Sequence, residues 1–356
     1  MIALLLAFAL NPAFGSAEGV PATALANYSI TGFSRPCCNF GLDIIPQRMG
    51  LAGVIDPAET GSHIFARQPK GHDNVGIAYT CGGGFVDVSH LRDNADWSAH
   101  VYWNLSQWLG SGTDVLARRE GGFSRRSVYF PNLSPAELAQ LTEDDRAQIA
   151  VSIGYSMALL HEIATSFNIA VSAPASLVIY ETSSAFSVED AYSNLLGNIL
   201  GVEAARDPRP YNQAMAGLID NTLGNLGAQS ASQTRDAYAQ TRGTWWVRGM
   251  LAGFGSTLKR DFTYQGEVVP FLINDRPGCD GSVPQAIEVP GLLSNGRYAQ
   301  DYYEVRGHIR GNLRRHLRSV GVEVQGNVIT QRDYPRIIEG IKKKFVGKLG
   351  ESILTP

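Results

Sequence analysis

The sequence predicts an α+β protein: a single mixed domain with a small, mainly antiparallel sheet packed by several helices. Two alternating segments, Asn74–Tyr79 and Phe85–Val88, flank Cys81-Gly82-Gly83-Gly84, the pattern of a β-hairpin whose glycines supply the positive φ angles of the turn. From Glu143 to Phe167 the residues Ile149, Ile153, Met157, Leu160, Ala164 and Phe167 step by three and four, the pattern of a helix with one apolar face. With 356 residues, 44% of them hydrophobic and 18% charged, the chain can fill a sizeable core.

Met1 to Leu10 is an apolar run followed by Pro12, Gly15, Ser16 and Ala17, which reads as a secretory leader over residues 1–17, although it lacks the usual basic start. Residues 18–356 then form the domain, and the expected location is periplasmic or secreted. Asp93 to Trp108 carries Trp97, Tyr102, Trp103, Leu105 and Trp108 at helical spacing, a stripe that reads as core. Ser127–Phe130 reads as a short strand. Ser134 and Pro135 open a helix as cap and first-turn residue. Ser176–Tyr180 reads as a buried strand, and Ser187 as the cap of a helix through Tyr192, Leu195, Leu196, Ile199 and Leu200.

Tyr211 to Arg242 has moderate helical character, and Trp245-Trp246 opens a mixed stretch. Gly, Pro and Asp gather in a long loop from Asp275 to Pro290. The tail predicts a basic amphipathic helix around Tyr302 to Arg318, a hairpin about Gln325-Gly326-Asn327, and a last helix from Pro335 through Lys342-Lys343-Lys344. No internal repeat, heptad series or low-complexity tract is present.

A net charge of -3 leaves no overall basic excess to draw the chain onto nucleic acid or anionic lipid. No stretch reaches the ~20 apolar residues of a membrane span. The expected partner is therefore a small molecule, glycan or peptide of the cell envelope, with no nucleic acid and no transmembrane span. Four cysteines fit an oxidising compartment, and one of the adjacent Cys37 and Cys38 is expected to reach Cys81 or Cys279. Their spacing is wrong for a zinc knuckle.

His161 with Glu162, His90 with Asp93, and Glu189 with Asp190 offer the nitrogen and oxygen donors that a hydrolytic divalent metal such as zinc uses. In that arrangement His90, His161 and Glu189 are the expected ligands and Glu162 the general base, with Asp190 in the same site. The His-Glu-x-x-His helix motif is absent, since Thr165 stands in its last place, so the ligands must converge from separate elements. The structural alternative is that Glu189 and Asp190 favour a helix macrodipole, Ser187 and Asp190 form a capping-box-like pair, and His161 is a satisfied core histidine. Gly154-Tyr155-Ser156-Met157-Ala158 approximates a nucleophile elbow but lies within a helix. Trp245-Trp246 could floor a binding groove, with burial the commoner outcome.

The run from His72 through Val75-Gly76-Ile77-Ala78-Tyr79 into the glycine turn resembles the histidine half of papain-like cell-wall amidohydrolases and of lecithin-retinol-acyltransferase-like proteins. That resemblance implies a nucleophile at a later helix start, where backbone N–H groups can hold an oxyanion. Ser187, with Ser184 as second choice, occupies that position here, whereas those families use Cys.

Four motifs taken in order carry a second resemblance. They are Arg35-Pro36-Cys37-Cys38-Asn39-Phe40-Gly41, then Tyr79 through the glycine turn to Asp96-Trp97, then His161-Glu162-Ile163-Ala164-Thr165, and last Phe186-Ser187-Val188-Glu189-Asp190-Ala191-Tyr192-Ser193-Asn194-Leu195-Leu196-Gly197. Together they resemble the bacterial domain-of-unknown-function 4056 family, which implies an exported protein of unassigned activity. Ser166 stands where an aromatic residue commonly follows the third motif.

The expectation drawn from these residues is an exported cell-envelope hydrolase in which either a metal-activated water or a polarised Ser187 attacks. The competing expectation is a non-catalytic envelope binding or structural protein whose polar cluster is a buried hydrogen-bond network.

Overall fold

A computed structural model describes residues 35, 53–66, 73–117, 122–167, 185–248 and 255–354, and within them the chain forms eight helices and ten short strands, an α+β architecture. Ile77–Thr80 (β1) and Gly84–Asp87 (β2) pair antiparallel, with Ile77 opposite Asp87 and Thr80 opposite Gly84. Gly84 turns the chain at φ +63°, and a Cβ there would sit 2.2 Å from the Phe271 carbonyl, so neither conformation nor space admits a side chain.

Helix α1, Val88–Trp108, follows without a loop. It starts five residues earlier than the aromatic stripe predicts because Asp87, the last residue of β2, is its cap and accepts from the Ser89 amide at 2.7 Å. That earlier start places His90 in the first turn. Strands β3, Asp114–Ala117, and β4, Phe123–Tyr129, come next, and the latter contains the predicted Ser127–Tyr129 segment. Capping boxes open the following two helices. Ser134 with Glu137 starts α2, Pro135–Ala139, and Thr142 with Asp145 starts α3, Glu143–Thr165. After the segment 168–184, in which the predicted strand Ser176–Tyr180 lies outside the described residues, come α4, Asp190–Arg206, α5, Tyr211–Asn225, and α6, Ala231–Thr241.

Two small ladders follow, Trp246–Arg248 (β5) with Gly255–Thr257 (β6) and Glu267–Val268 (β7) with Ile287–Glu288 (β8). The predicted tail helix is divided. Its first part is strand β9, Glu304–Ile309, and only Gly311–Ser319 is helix α7. Burial with a period of two at Val305, Gly307 and Ile309 decides this, since the strand pairs with β4 and Gly307 leaves room for the Phe123 ring. Gly326, at φ +71°, turns the chain into β10, Val328–Thr330, which pairs back onto β9 across α7 rather than closing a tight hairpin. The larger sheet therefore has the antiparallel order β10-β9-β4-β3, and the last helix, α8, covers Tyr334–Leu349.

Trp245 and Trp246 are core residues, packed with Tyr79, Phe85, Tyr238 and Phe271. The cysteine pairing differs from expectation: Cys81 is joined to Cys279, which ties the 275–290 loop to the hairpin turn, while Cys37 and Cys38 lie outside the described residues. No helix among the described residues is long and apolar enough to cross a membrane.

The tightest helix contact is between α1 and α4. A Cβ at Gly197 would stand 2.2 Å from the Leu91 carbonyl, and one at Gly201 would stand 2.1 Å from that of Ala95, so the two backbones touch. Asn94 donates to Asn194 at 2.7 Å, and Ser98 donates to the Asn198 carbonyl at 2.8 Å across the same seam. Gly201→Ala is expected to force the helices apart and lower the unfolding free energy by about 1–3 kcal/mol in a urea titration.

On α1, burial pushes the His100 imidazole down to about 4. Its folded value lies below the unfolded ~6.5, so its contribution is complete above about pH 6.5 and is lost as pH falls toward 4, about 3 kcal/mol in all. His100→Gln is expected to flatten that part of the pH–stability curve, as read by denaturant unfolding at several pH values.

Candidate functional site

Three helix ends meet at one place. The contacts Leu91–Gly197 and Ala95–Gly201 run in the same sense along both chains, so α1 and α4 are parallel, with the first turn of α1 beside the second turn of α4. Helix α3 is antiparallel to α4: Gly154 abuts Asn198, while Glu162, two turns further on, reaches the residues just before α4. One donor atom each from His90, Glu162 and Asp190 lies within 4.8 Å of the others, and all three residues are buried.

Each donor is oriented by the chain. His90 Nδ1 is 2.7 Å from Asp87 Oδ2 and 3.6 Å from Asp190 Oδ1. An ionised carboxylate only accepts, so Nδ1 donates, and in the neutral ring the lone pair is then on Nε2. Glu162 Oε2 accepts from the Phe186 amide at 2.7 Å, and Asp190 Oδ2 accepts from the amide and the hydroxyl of Ser187, both at 2.9 Å. One oxygen of each carboxylate is thus committed. Glu162 Oε1 and Asp190 Oδ1 have no hydrogen bond among the described residues.

Phe186 adopts φ +56°, a left-handed conformation that costs a bulky residue about 1–2 kcal/mol. Its amide bond to Glu162 and its carbonyl bond to the Asp261 amide at 2.9 Å hold it there.

Among the described residues the site holds more carboxylates than cations. Burial, reinforced by Glu162, pushes the Asp190 carboxyl up to about 8, although His90 pulls the other way. Burial and then the neighbouring Asp190 raise Glu189 well above the usual carboxylate range. Glu189 is fully buried, and neither carboxylate oxygen has a hydrogen bond; the Ser187 hydroxyl, which faces both carboxylates, is given to Asp190. The counterion is Arg260, which interacts with Asp190, Glu162 and Glu189, donates to the Ala185 and Thr257 carbonyls, and is pushed down to about 10 by burial.

The expected site residues are thus regrouped. Glu162 and Asp190 join His90 in the donor set. His161 does not, because it precedes Glu162 on α3 and is turned about 100° from it around the helix. Glu189 is the cap residue of α4, with no side-chain capping bond, and it lies beside the set rather than in it. Ser187 is fully buried, and His72 lies outside the described residues. Asp93 points elsewhere and pairs with Arg35 Nη1 at 2.7 Å. Two participants, Asp87 and Arg260, were not anticipated. Asp87 had a signal in the sequence, an Asp three residues before His90 at a strand-to-helix junction. Ser166, the departure from the third motif, is buried and donates to the Glu162 carbonyl at 2.7 Å, which ends α3.

The family model described as a protein of unknown function, DUF4056, matches residues 27–274, and the chain belongs to that family. The stretch from Asp87 to Arg260 lies wholly within the match. No curated protein matches the chain, and no solved structure matches it.

Replacing Glu189 with an apolar side chain of similar size removes a desolvation cost that no side-chain hydrogen bond offsets. Glu189→Met is expected to raise the stability of the metal-free protein by about 1–3 kcal/mol in urea unfolding. A loss of that size would show instead that the carboxylate is bonded.

Proposed function

We propose that this DUF4056 member is a metal-dependent hydrolase of the cell envelope, in which His90, Glu162 and Asp190 hold one divalent cation, zinc being the first choice. The observation that carries the reading is the convergence within 4.8 Å of an imidazole and two carboxylates from three elements remote in sequence. The donor chemistry fits: neutral imidazole and carboxylate oxygen are ordinary zinc ligands, and two carboxylates offset the ion's charge. When bound, such an ion supplies Lewis acidity and lowers the pKa of a water in its open position.

This chain's residues supply the rest. Asp87 fixes the His90 tautomer through Nδ1, the usual support of a metal-binding histidine. The Phe186 and Ser187 amides fix the two carboxylates. Glu189 is assigned as the proton-transfer group, since its carboxyl is in the same charge field, outside the donor set and without a hydrogen bond, and a bound cation would favour its ionised form. The Ser187 route has less support, because that hydroxyl is buried and donates to a carboxylate rather than to a base aligned for attack. The Cys81–Cys279 disulfide and the apolar run over residues 1–17 support an exported, oxidising location, and hence an envelope small molecule, glycan or peptide as substrate.

A second reading is favoured by the hydrogen bonds themselves. Glu162 with Phe186 and Asp190 with Ser187 tie the segment before α4 to α3 and would serve a purely structural network. Zinc binding separates the two. The hydrolase reading expects one zinc per chain in the purified protein, and a rise of about 2.7 kcal/mol in stability at zinc a hundredfold above its Kd. His90→Ala and Asp190→Asn should each abolish that rise, and Glu189→Gln should retain it while losing turnover of ester, amide or glycoside reporters. A folded protein with no metal and no response to zinc leaves the structural reading.

A further inference from the structure

The overall charge of -3 conceals an uneven distribution. Residues 304–356 hold 11 of the 30 Lys and Arg but only 5 of the 33 Asp and Glu, so this part carries +6 and residues 1–303 carry -9. Helices α7 and α8 carry eight of those eleven cations, Arg314, Arg315 and Arg318 on the first and Arg336, Lys342, Lys343, Lys344 and Lys348 on the second. A Cβ at Gly340 would lie 2.5 Å from the Val320 carbonyl, so the end of α7 is seated directly on α8. Gly340 shares its stripe of α8 with Arg336, Lys343 and Gly347, spaced by three and four, and Arg315 and Arg318 occupy the second half of α7. Arg315, Arg318, Arg336 and Lys343 are exposed.

The seam between the helices is crowded with like charge. His316 stacks on Phe167 at 5.5 Å between centroids, and Lys344 Nζ lies 5.0 Å from the centroid of the same ring. Burial, then Lys344 and Arg315, push the His316 imidazole down, and burial and then Lys348 do the same to Lys344. Arg336 has Asp333 at 2.7 Å, and Lys343 has a loose, exposed contact with Glu339 at 3.8 Å. Arg310, Arg315, Arg318, Lys342, Lys344 and Lys348 have no ion pair among the described residues. Holding these cations together costs self-repulsion that Asp333 and Glu339 offset only in part, and an anionic partner would offset more.

We propose that the α7–α8 face docks the protein on the surface of an anionic phospholipid bilayer through charge alone. Three features select a plane of phosphates over other polyanions. Arg336 and Lys343 stand about 10 Å apart along α8, and Arg315 and Arg318 add to them on α7, so the cations reach more than one headgroup rather than one small ligand. The apolar side of α7, Leu313 and Leu317, is fully buried within the protein, which leaves its cations and not its leucines for contact. A polyanion that wraps the protein, such as a nucleic acid, would meet the net -9 of residues 1–303, whereas a plane touches one face alone. The proposal is independent of the metal site.

Co-sedimentation of the full chain with vesicles tests it. Binding is expected to vesicles of phosphatidylcholine with about a third phosphatidylglycerol, not to phosphatidylcholine alone, and to vanish near about 0.5 M salt. The triple variant Arg315→Gln, Arg318→Gln, Lys343→Gln should bind at least tenfold more weakly. A control triple variant at the exposed Arg209, Arg235 and Arg242, each changed to Gln, removes the same charge and should bind as the wild type. Thermal melts confirm that both variants are folded. Equal binding to both vesicle types, or equal weakening by the two variants, overturns the proposal. Tighter binding to duplex DNA than to the anionic vesicles overturns the choice of lipid and assigns the face to nucleic acid.

Discussion

The site depends on two helix backbones touching. Where α1 meets α4, Gly197 and Gly201 let carbonyls of one helix approach the other more closely than any side chain would allow. The amides and hydroxyls in the seam then fix the register. Asn94, Asn194, Ser98 and Asn198 are buried and bonded across it, and a slip of one turn would leave them unpaired at about 1–3 kcal/mol each. The Ser193 hydroxyl accepts the Asp87 amide at 2.9 Å and pins the start of α1 to α4. Register in the seam is thereby register in the site. It brings the side chain of His90, in the first turn of α1, within 3.6 Å of Asp190 at the start of α4, while the first amides of α1 hold Asp87.

Helix α1 also carries a second cluster of buried charge, and the contrast between the two is informative. One turn beyond His90, Arg35 binds Asp73 at 2.8 Å, Asp93 at 2.7 Å and Asp96 at 3.0 Å, while Arg92 adds a contact to Asp73 at 3.1 Å and His63 reaches Asp96 at 2.8 Å. Burial lifts Asp93 to about 6 against the pull of Arg35; for Asp96 burial acts the same way, but His63 and Arg35 outweigh it and hold the carboxyl at about 2. Here nearly every anion has a cation at hydrogen-bond distance, which is how a protein keeps buried charge without help. At the site, Asp87, Glu162, Glu189 and Asp190 share Arg260 and His90 among the described residues, and neither oxygen of the Glu189 carboxylate has a hydrogen bond. An acidic excess sealed from water costs several kcal/mol unless protons or a cation arrive. The same helix thus holds one self-sufficient cluster and one that has a use for positive charge.

Much of this was legible in the sequence where period and chemistry agree. The β1–β2 hairpin was visible in its glycine turn, and α3 in its apolar steps. Caps were visible too, in Ser134 and Pro135. Residues 302–318 misled because their basic composition suits an exposed helix, whereas the deciding feature is a partner strand: β4 claims Val305 and Ile309, and Gly307 makes room for Phe123. The site was legible as a set of residues but not as a set of roles. His161 and Glu162 look equivalent in sequence, yet adjacent positions on a helix face different ways, and only packing against α4 selects Glu162. Arg260 gave no signal, because its importance comes from carboxylates 70 and more residues away that tertiary structure brings within reach. Likewise, the net charge hid the basic face, since a sum over the chain carries no information about where the charges lie.

The part of the chain beyond the family match is not an appendage to the site. Arg260, the counterion of the site carboxylates, lies with its guanidinium 4.1 Å from the centroid of the Phe345 ring on α8, a cation–π contact worth about 0.5–2 kcal/mol when desolvated. Its amide donates to the Ile353 carbonyl at 3.0 Å, and the neighbouring Lys259 donates to the Ser352 carbonyl at 2.6 Å. Helix α8 therefore backs the arginine with Phe345, and about 160° around its axis it presents Lys343 to solvent. A helix packed through Ile337, Ile338 and Ile341 moves as one body, so the residue nearest the site and the residues of the basic face cannot shift independently. Whatever meets that face acts on the same rigid element that holds Arg260 among the carboxylates.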